Sequence, residues 1–95
     1  MKLTWDEAKR AANLEKHGVD FAAIEAFDWA TALVLEDTRK DYGETRLLAM
    51  GLIEGRLHAL VFARRADGVR VISLRKANSR ERRRYEERAK AEESR

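Results

Sequence analysis

Apolar positions recur with two different periods along this chain, and the change comes near Thr31. Before it, "KLTW" reads as a short opening strand, followed by two helical segments. Thr4 or Asp6 can cap the first helix: Thr4-x-x-Glu7 has capping-box form, and Asp6 and Glu7 suit the positive end of a helix dipole. Ala8, Ala11, Ala12 and Leu14 or Glu15 give that helix a small-residue side for packing. Gly18 suits the left-handed position that stops a helix, with Val19 as the hydrophobic contact behind it. Asp20 can cap the next helix, whose Phe21, Ile24 and Phe27 fall on one side.

From Thr31 the segments shorten and become rich in Val, Leu, Ile and Phe: "ALVLED", "TRLLAMGLI", "LHALVFARR" and "GVRVISLRK". Glu54-Gly55 and Asp67-Gly68 separate the last three, as hairpin turns would. Apolar residues sit at consecutive positions in mid-strand, the pattern of a sheet covered on both faces. From Asn78 a polar helix follows, with Asn78-x-x-Glu81 as a capping box and Arg82–Glu86, Arg83–Glu87 and Arg88–Glu92 at ion-pair spacing. The expected fold is α+β in the order β-α-α-β-β-β-β-α. A mainly antiparallel sheet packs on two N-terminal helices and a basic helix ends the chain, within one domain over residues 1–95.

Composition narrows the function. With 44% hydrophobic and 39% charged residues the chain is neither disordered nor membrane-embedded, and its apolar runs are too short to cross a bilayer. The N-terminus lacks an apolar signal core and cysteine is absent, so the expected location is the cytoplasm, without disulfides or thiolate chemistry. Two histidines without cysteine do not suggest a metal site, and no cofactor motif occurs. Net charge is only +3, but fourteen of twenty basic residues are arginine. Arginine's planar fork suits phosphate and carboxylate, so the bias favours an anionic partner, nucleic acid or an acidic protein surface.

Strand pairing sharpens this. A two-residue turn at Asp67-Gly68 would put Arg65 opposite Arg70, and the other hairpin would bring Arg64 beside Thr45 or Arg46. One end of the sheet would then hold Arg46, Arg64, Arg65 and Arg70, a like-charge cluster tolerated if the side chains splay into water or if an anion sits among them. Arg75 and Lys76 end the last strand away from that cluster. Arg82 and Tyr85 share a side of the final helix, where the tyrosine can stack on a base or simply pack the helix. Lys16 and His17 occupy the last turn of their helix, an ordinary C-terminal signature; the dipole there would favour imidazolium, able to donate to phosphate or act as an acid. His58, among apolar strand residues, reads as structural, and Ser73 has no identifiable base partner.

The stretches "TWDEAKRAANLEKHGVDF", "DYGETR", "RRADGVRVISLRKA" and "ERRRYE", in this order, resemble the BrnT family of bacterial toxins, within the wider RelE-like ribonuclease superfamily. The resemblance rests on Trp5, Asp6, Lys9, Asn13, Lys16, His17, Gly18, Val19 and Phe21. It continues through Gly43, Glu44, Arg46, Ile72, Ser73, Arg75, Ala77, Glu81, Arg82 and Tyr85. It implies a RelE-like α+β toxin that cleaves RNA, free or on the ribosome, and arrests translation. It also implies a BrnA-like antitoxin with a ribbon-helix-helix part, through which alone DNA would be bound. Metal-free cleavage by a ribose 2′-hydroxyl needs charge stabilisation and proton transfer. Arg64 and Arg75 are the candidate phosphate clamps, Arg46, Arg65 and Arg82 supporting contacts, Lys16 and His17 proton-transfer or positioning groups, Glu44 an alternative base, and Tyr85 a stacking surface. The competing class is a non-catalytic basic module that holds RNA or an acidic protein segment.

Overall fold

The structure, a computed structural model, describes residues 2–93. Its elements are β1 (Lys2–Thr4), α1 (Glu7–His17), a 3₁₀ helix (Phe21–Ala26), β2 (Leu33–Glu36), β3 (Leu47–Ile53), β4 (Arg56–Arg65), β5 (Gly68–Lys76) and α2 (Ser79–Glu93). This is the expected α+β order. The five strands form one sheet, β1-β5-β4-β3-β2, in which only β1 runs parallel to its neighbour.

Asp6 rather than Thr4 caps α1, its carboxylate accepting from the Ala8 and Lys9 amides. The Thr4–Glu7 box does not form, because Glu7 accepts from the Trp5 indole and from Arg10. Gly18 stops the helix at φ 70, its N–H bonded to the Leu14 carbonyl, where a side chain would be strained. The second helical segment is a 3₁₀ helix of six residues, capped by Asp20 and ended where Phe27 turns to pair with Ile53. Phe21, Ile24 and Phe27 do face inward together.

The packing side of α1 is not the alanine side. Ala8, Ala11 and Ala12 face solvent, and the helix turns Arg10, Asn13 and His17 inward instead. The reason lies on β5. Because β1 pairs only with Gly68–Arg70, the edge of β5 beyond it would be open. Asn13 closes it, accepting from the Leu74 N–H at 3.2 Å and donating to the Leu74 carbonyl at 2.8 Å, with a second donation to Val19 O at 3.1 Å. A buried side-chain amide thus replaces a missing strand, as buried backbone groups require a partner. Arg10 forks onto Asp20 at 2.8 and 2.7 Å, tying α1 to the cap of the 3₁₀ helix.

One sheet face carries Ala49, Ile53, Leu60, Phe62, Val69, Val71 and Leu74 against Val19, Phe21, Ile24 and Phe27. Each large side chain removed from water here contributes about 1.5–3 kcal/mol. The β3–β4 hairpin turns at Glu54-Gly55, both at positive φ, as expected. The β4–β5 turn does not use Asp67-Gly68. Arg65 pairs with Gly68 and Ala63 with Arg70, with a bulge beyond Val61/Phe62. Gly68 is the first strand residue because β1 lies on it: a Cβ at this position would run into the Lys2 backbone. The glycine serves close approach of two strands, and the turn shifts back by one residue.

Candidate functional site

Side chains alternate between sheet faces, and partners in register share one. Ala59, Val61 and Ala63 therefore lie on the face opposite the 3₁₀ helix, in rows with Arg75, Ser73 and Arg70. Leu48 pairs with Val61, which puts Arg46, two residues earlier, on this face. The Asp37 N–H bonds to the Arg46 carbonyl at 2.8 Å, extending the β2–β3 ladder into the 37–46 segment. Arg65 shares the face and Arg64 points to the other.

At the β4–β5 hairpin end, Glu44 stands between Arg46 (3.6 Å) and Arg65 (3.3 Å). The Arg46 guanidinium stacks on Tyr42 at 4.1 Å, while its buried Nε has no hydrogen-bond partner. Arg64 and Arg65 border a groove of about 220 Å³ with Glu44, Thr45 and Leu47. The predicted cluster thus forms only in part. Glu44 joins Arg46 and Arg65, Arg64 flanks them from the opposite face, and the shifted register places Arg70 across from Ala63 instead of Arg65.

Arg75, opposite Ala59, lies roughly 17 Å along the sheet from Arg64, at about 3.3 Å per strand residue. Its fork is filled by Glu81 of α2, Nη1–Oε1 2.7 Å and Nη2–Oε2 2.9 Å. Glu81 also completes the Asn78 capping box, accepting from the Asn78 N–H at 2.9 Å while Asn78 Oδ1 accepts from the Glu81 N–H at 2.8 Å. The pair holds both charges: Glu81 pushes Arg75 up, and Arg75 pulls the Glu81 carboxyl below its ordinary value. Arg39, from the 37–46 segment, is within electrostatic reach of both. Asp37, buried, forks onto Arg39 at 2.8 Å through each oxygen and accepts from the Tyr42 hydroxyl at 3.3 Å. Arg39's bonds bring the Asp37 carboxyl down to about 2.

Asn13 anchors α1 one turn before His17, so the helix ends beside the last residues of β5. His17 is half-buried with exposed Lys16 next to it. A helix dipole favours imidazolium here, and the surroundings act the other way. Burial first, then the charges of Lys16 and Arg75, push the His17 pKa down. His17 and Arg75 thus come from different elements into electrostatic reach, whereas Arg64, Arg65 and Glu44 stand at the other end.

Two further expectations meet local structure. Tyr85, half-buried, donates its hydroxyl to Thr31 O at 3.0 Å, fastening α2 to the turn before β2. Arg82 is exposed on α2. That helix buries no residue, and of the three spaced pairs only Arg88–Glu92 closes, at 3.5 Å, among the described residues. His58 is buried with Nδ1 2.8 Å from Arg56 O, a structural setting. Asp37, Arg39 and Tyr42 escaped the sequence reading. The available signal was "DTRKDY", an acid two residues before an arginine where an apolar strand ends.

No helix among the described residues is long and apolar enough to cross a membrane. A family model, described as ribonuclease toxin, BrnT, of type II toxin-antitoxin system, matches residues 5–81. No curated protein matches the chain.

Proposed function

The chain belongs to the BrnT family of ribonuclease toxins of type II toxin–antitoxin systems, and from that premise we propose that it cuts RNA by metal-free transesterification and so inhibits translation. In this reading a BrnA-like antitoxin neutralises it. The setting of Arg75 carries the reading: a half-buried guanidinium bonded to Glu81, with His17 and Arg39 within electrostatic reach from two other parts of the chain. Arg75 holds the non-bridging oxygens of the scissile phosphate, where charge grows as the 2′-oxygen attacks. His17, kept neutral near pH 7 by its lowered pKa, accepts the 2′-hydroxyl proton. Lys16, beside it, stabilises and protonates the departing 5′-oxygen. Arg46 and Arg65, spaced by Glu44, contact flanking phosphates, as do Arg64 and Arg82. Glu44 sits too far along the sheet to share the proton transfer in this arrangement. Tyr85 keeps a half-exposed ring that can meet a base while its hydroxyl holds α2.

One observation favours a second reading. The fork of Arg75 already holds a carboxylate, as it would if its natural ligand were an acidic protein segment in a chain that binds without cutting. Turnover separates the two. Purified chain incubated with RNA, alone and with ribosomes, should create new 5′ ends, and His17→Ala and Arg75→Ala variants shown to be folded should not. Wild-type chain that leaves RNA intact in both settings while still binding it would establish the binding module.

A further inference from the structure

Asp37 is an expensive residue to bury. Its side chain is 2% exposed, yet Arg39, which it holds, is 68% exposed. A carboxylate is taken out of water at a cost of several kcal/mol, while a surface ion pair by itself contributes little. The arrangement does not hide the arginine; it aims it. Asp37 Oδ1 accepts from Nε and Oδ2 from Nη2, both at 2.8 Å, which fixes the plane of the guanidinium. The Tyr42 side chain lies against the same guanidinium, and the arginine stays open to solvent. The Arg39 N–H at 3.3 Å and the Tyr42 hydroxyl at 3.3 Å complete the carboxylate's partners. Across the sheet Arg75 faces the same region, and the two like charges feel each other with Glu81 as the nearby acid. Two guanidinium groups, each oriented by a carboxylate and within electrostatic reach of one another, are a favourable place for a chain of phosphates.

We propose that Asp37 is a positioning residue that holds Arg39 across the sheet face from Arg75, so that Arg39 takes an RNA phosphate next to the one Arg75 takes. This rests on the ribonuclease reading and adds to it a residue pair outside the motifs that suggested the family. The bland alternative is that Asp37 and Arg39 merely staple the 37–46 segment.

Binding of a 2′-O-methyl oligoribonucleotide, which lacks the attacking hydroxyl, tests this by fluorescence anisotropy across a salt series. Arg39→Ala should weaken binding about tenfold and reduce the slope of log affinity against log salt by about 0.7, the value for one phosphate on a single strand. Arg39→Lys should keep the slope and still lose affinity, because the charge remains and the fork does not. Asp37→Asn should weaken binding in the wild-type background and add nothing in the Arg39→Ala background, since a residue acting through another has no effect once the other is gone. Thermal melts ensure that binding is read only on folded protein. Unchanged affinity and slope for Arg39→Ala overturn the proposal, as does an Asp37→Asn loss of equal size in both backgrounds. If wild-type chain cuts RNA while Arg39→Ala binds normally, only this inference falls; if wild type neither binds nor cuts, the ribonuclease reading falls with it.

Discussion

At one end of the sheet Arg64 and Arg65 stand exposed beside a shallow groove, and Glu44 touches Arg65 at 3.3 Å. Near the other end Arg75 is half-buried, bound through both fork nitrogens to Glu81, with His17 and Arg39 in reach. By sequence the two groups look alike. Physically they differ in preorganisation. A guanidinium whose plane is fixed before the ligand arrives loses little freedom on binding and sits where water is scarce, so its charge acts strongly on a developing oxyanion. Exposed arginines at a hairpin end are screened and must be ordered by the ligand itself. The first arrangement suits chemistry, the second capture.

Breaking the preorganised side should give the largest effect. Arg75→Ala is expected to lower kcat for RNA cleavage by about 10²–10³-fold, the loss typical of a deleted oxyanion donor. It also leaves Glu81 without its partner, so the midpoint of denaturant unfolding should fall, by roughly 1–3 kcal/mol of stability. Arg75→Lys should regain part of the stability and little of the rate, since one ammonium cannot fill a bidentate fork. A variant within a few-fold of wild-type kcat would show that the half-buried arginine is a helix anchor and nothing more.

His17 offers the next test, through pH. Its folded-state pKa lies below the ordinary 6.5, so the native protein resists a proton that the unfolded chain accepts. Stability contributed by neutral His17 is present above pH 6.5 and is lost as pH falls through the lowered folded value. The same titration sets the rate if His17 is the base. kcat/KM should rise with pH through that lowered value and level off at lower pH than an ordinary histidine would allow, and His17→Ala should lose about 10²-fold with the acidic limb abolished. An acidic limb unchanged in His17→Ala would assign the proton transfer elsewhere.

The contrast between the two arginine groups was only half legible beforehand. The Glu54-Gly55 turn and the Asn78–Glu81 capping box follow from residues close in sequence, where local chemistry decides. The wrong expectations have long-range causes. Asn13 turns the alanines of α1 outward because it meets Leu74, and Gly68 leaves the turn because it meets Lys2. Periodicity registers which positions repeat, not which edge of a sheet is missing a partner. The site suffered the same way. Arg75 is legible as a cation at a strand end, but local spacing shows its partner Glu81 only as a cap. Arg39 could not be weighed without knowing that Asp37 is buried.

The exposed end should answer weakly and in a different observable. Arg64 accepts from Arg65 Nη1 through its backbone carbonyl while its own guanidinium makes no ion pair among the described residues, and Arg65 shares Glu44 with Arg46. If both only gather the strand, Arg64→Ala and Arg65→Ala should each reduce the salt slope of RNA binding by about 0.7 and raise KM a few-fold with kcat unchanged, the signature of uniform binding. Folding should hardly move, because neither side chain is buried. The double variant should then lose the product of the single losses, as sites without a shared ligand group do. Greater-than-multiplicative loss would mean that the two arginines grip one phosphate between them, and a fall in kcat would move the reacting phosphate to this end of the sheet. Either result erases the division of labour between capture at the hairpin and chemistry at Arg75, so the smallest expected effect is also the most discriminating.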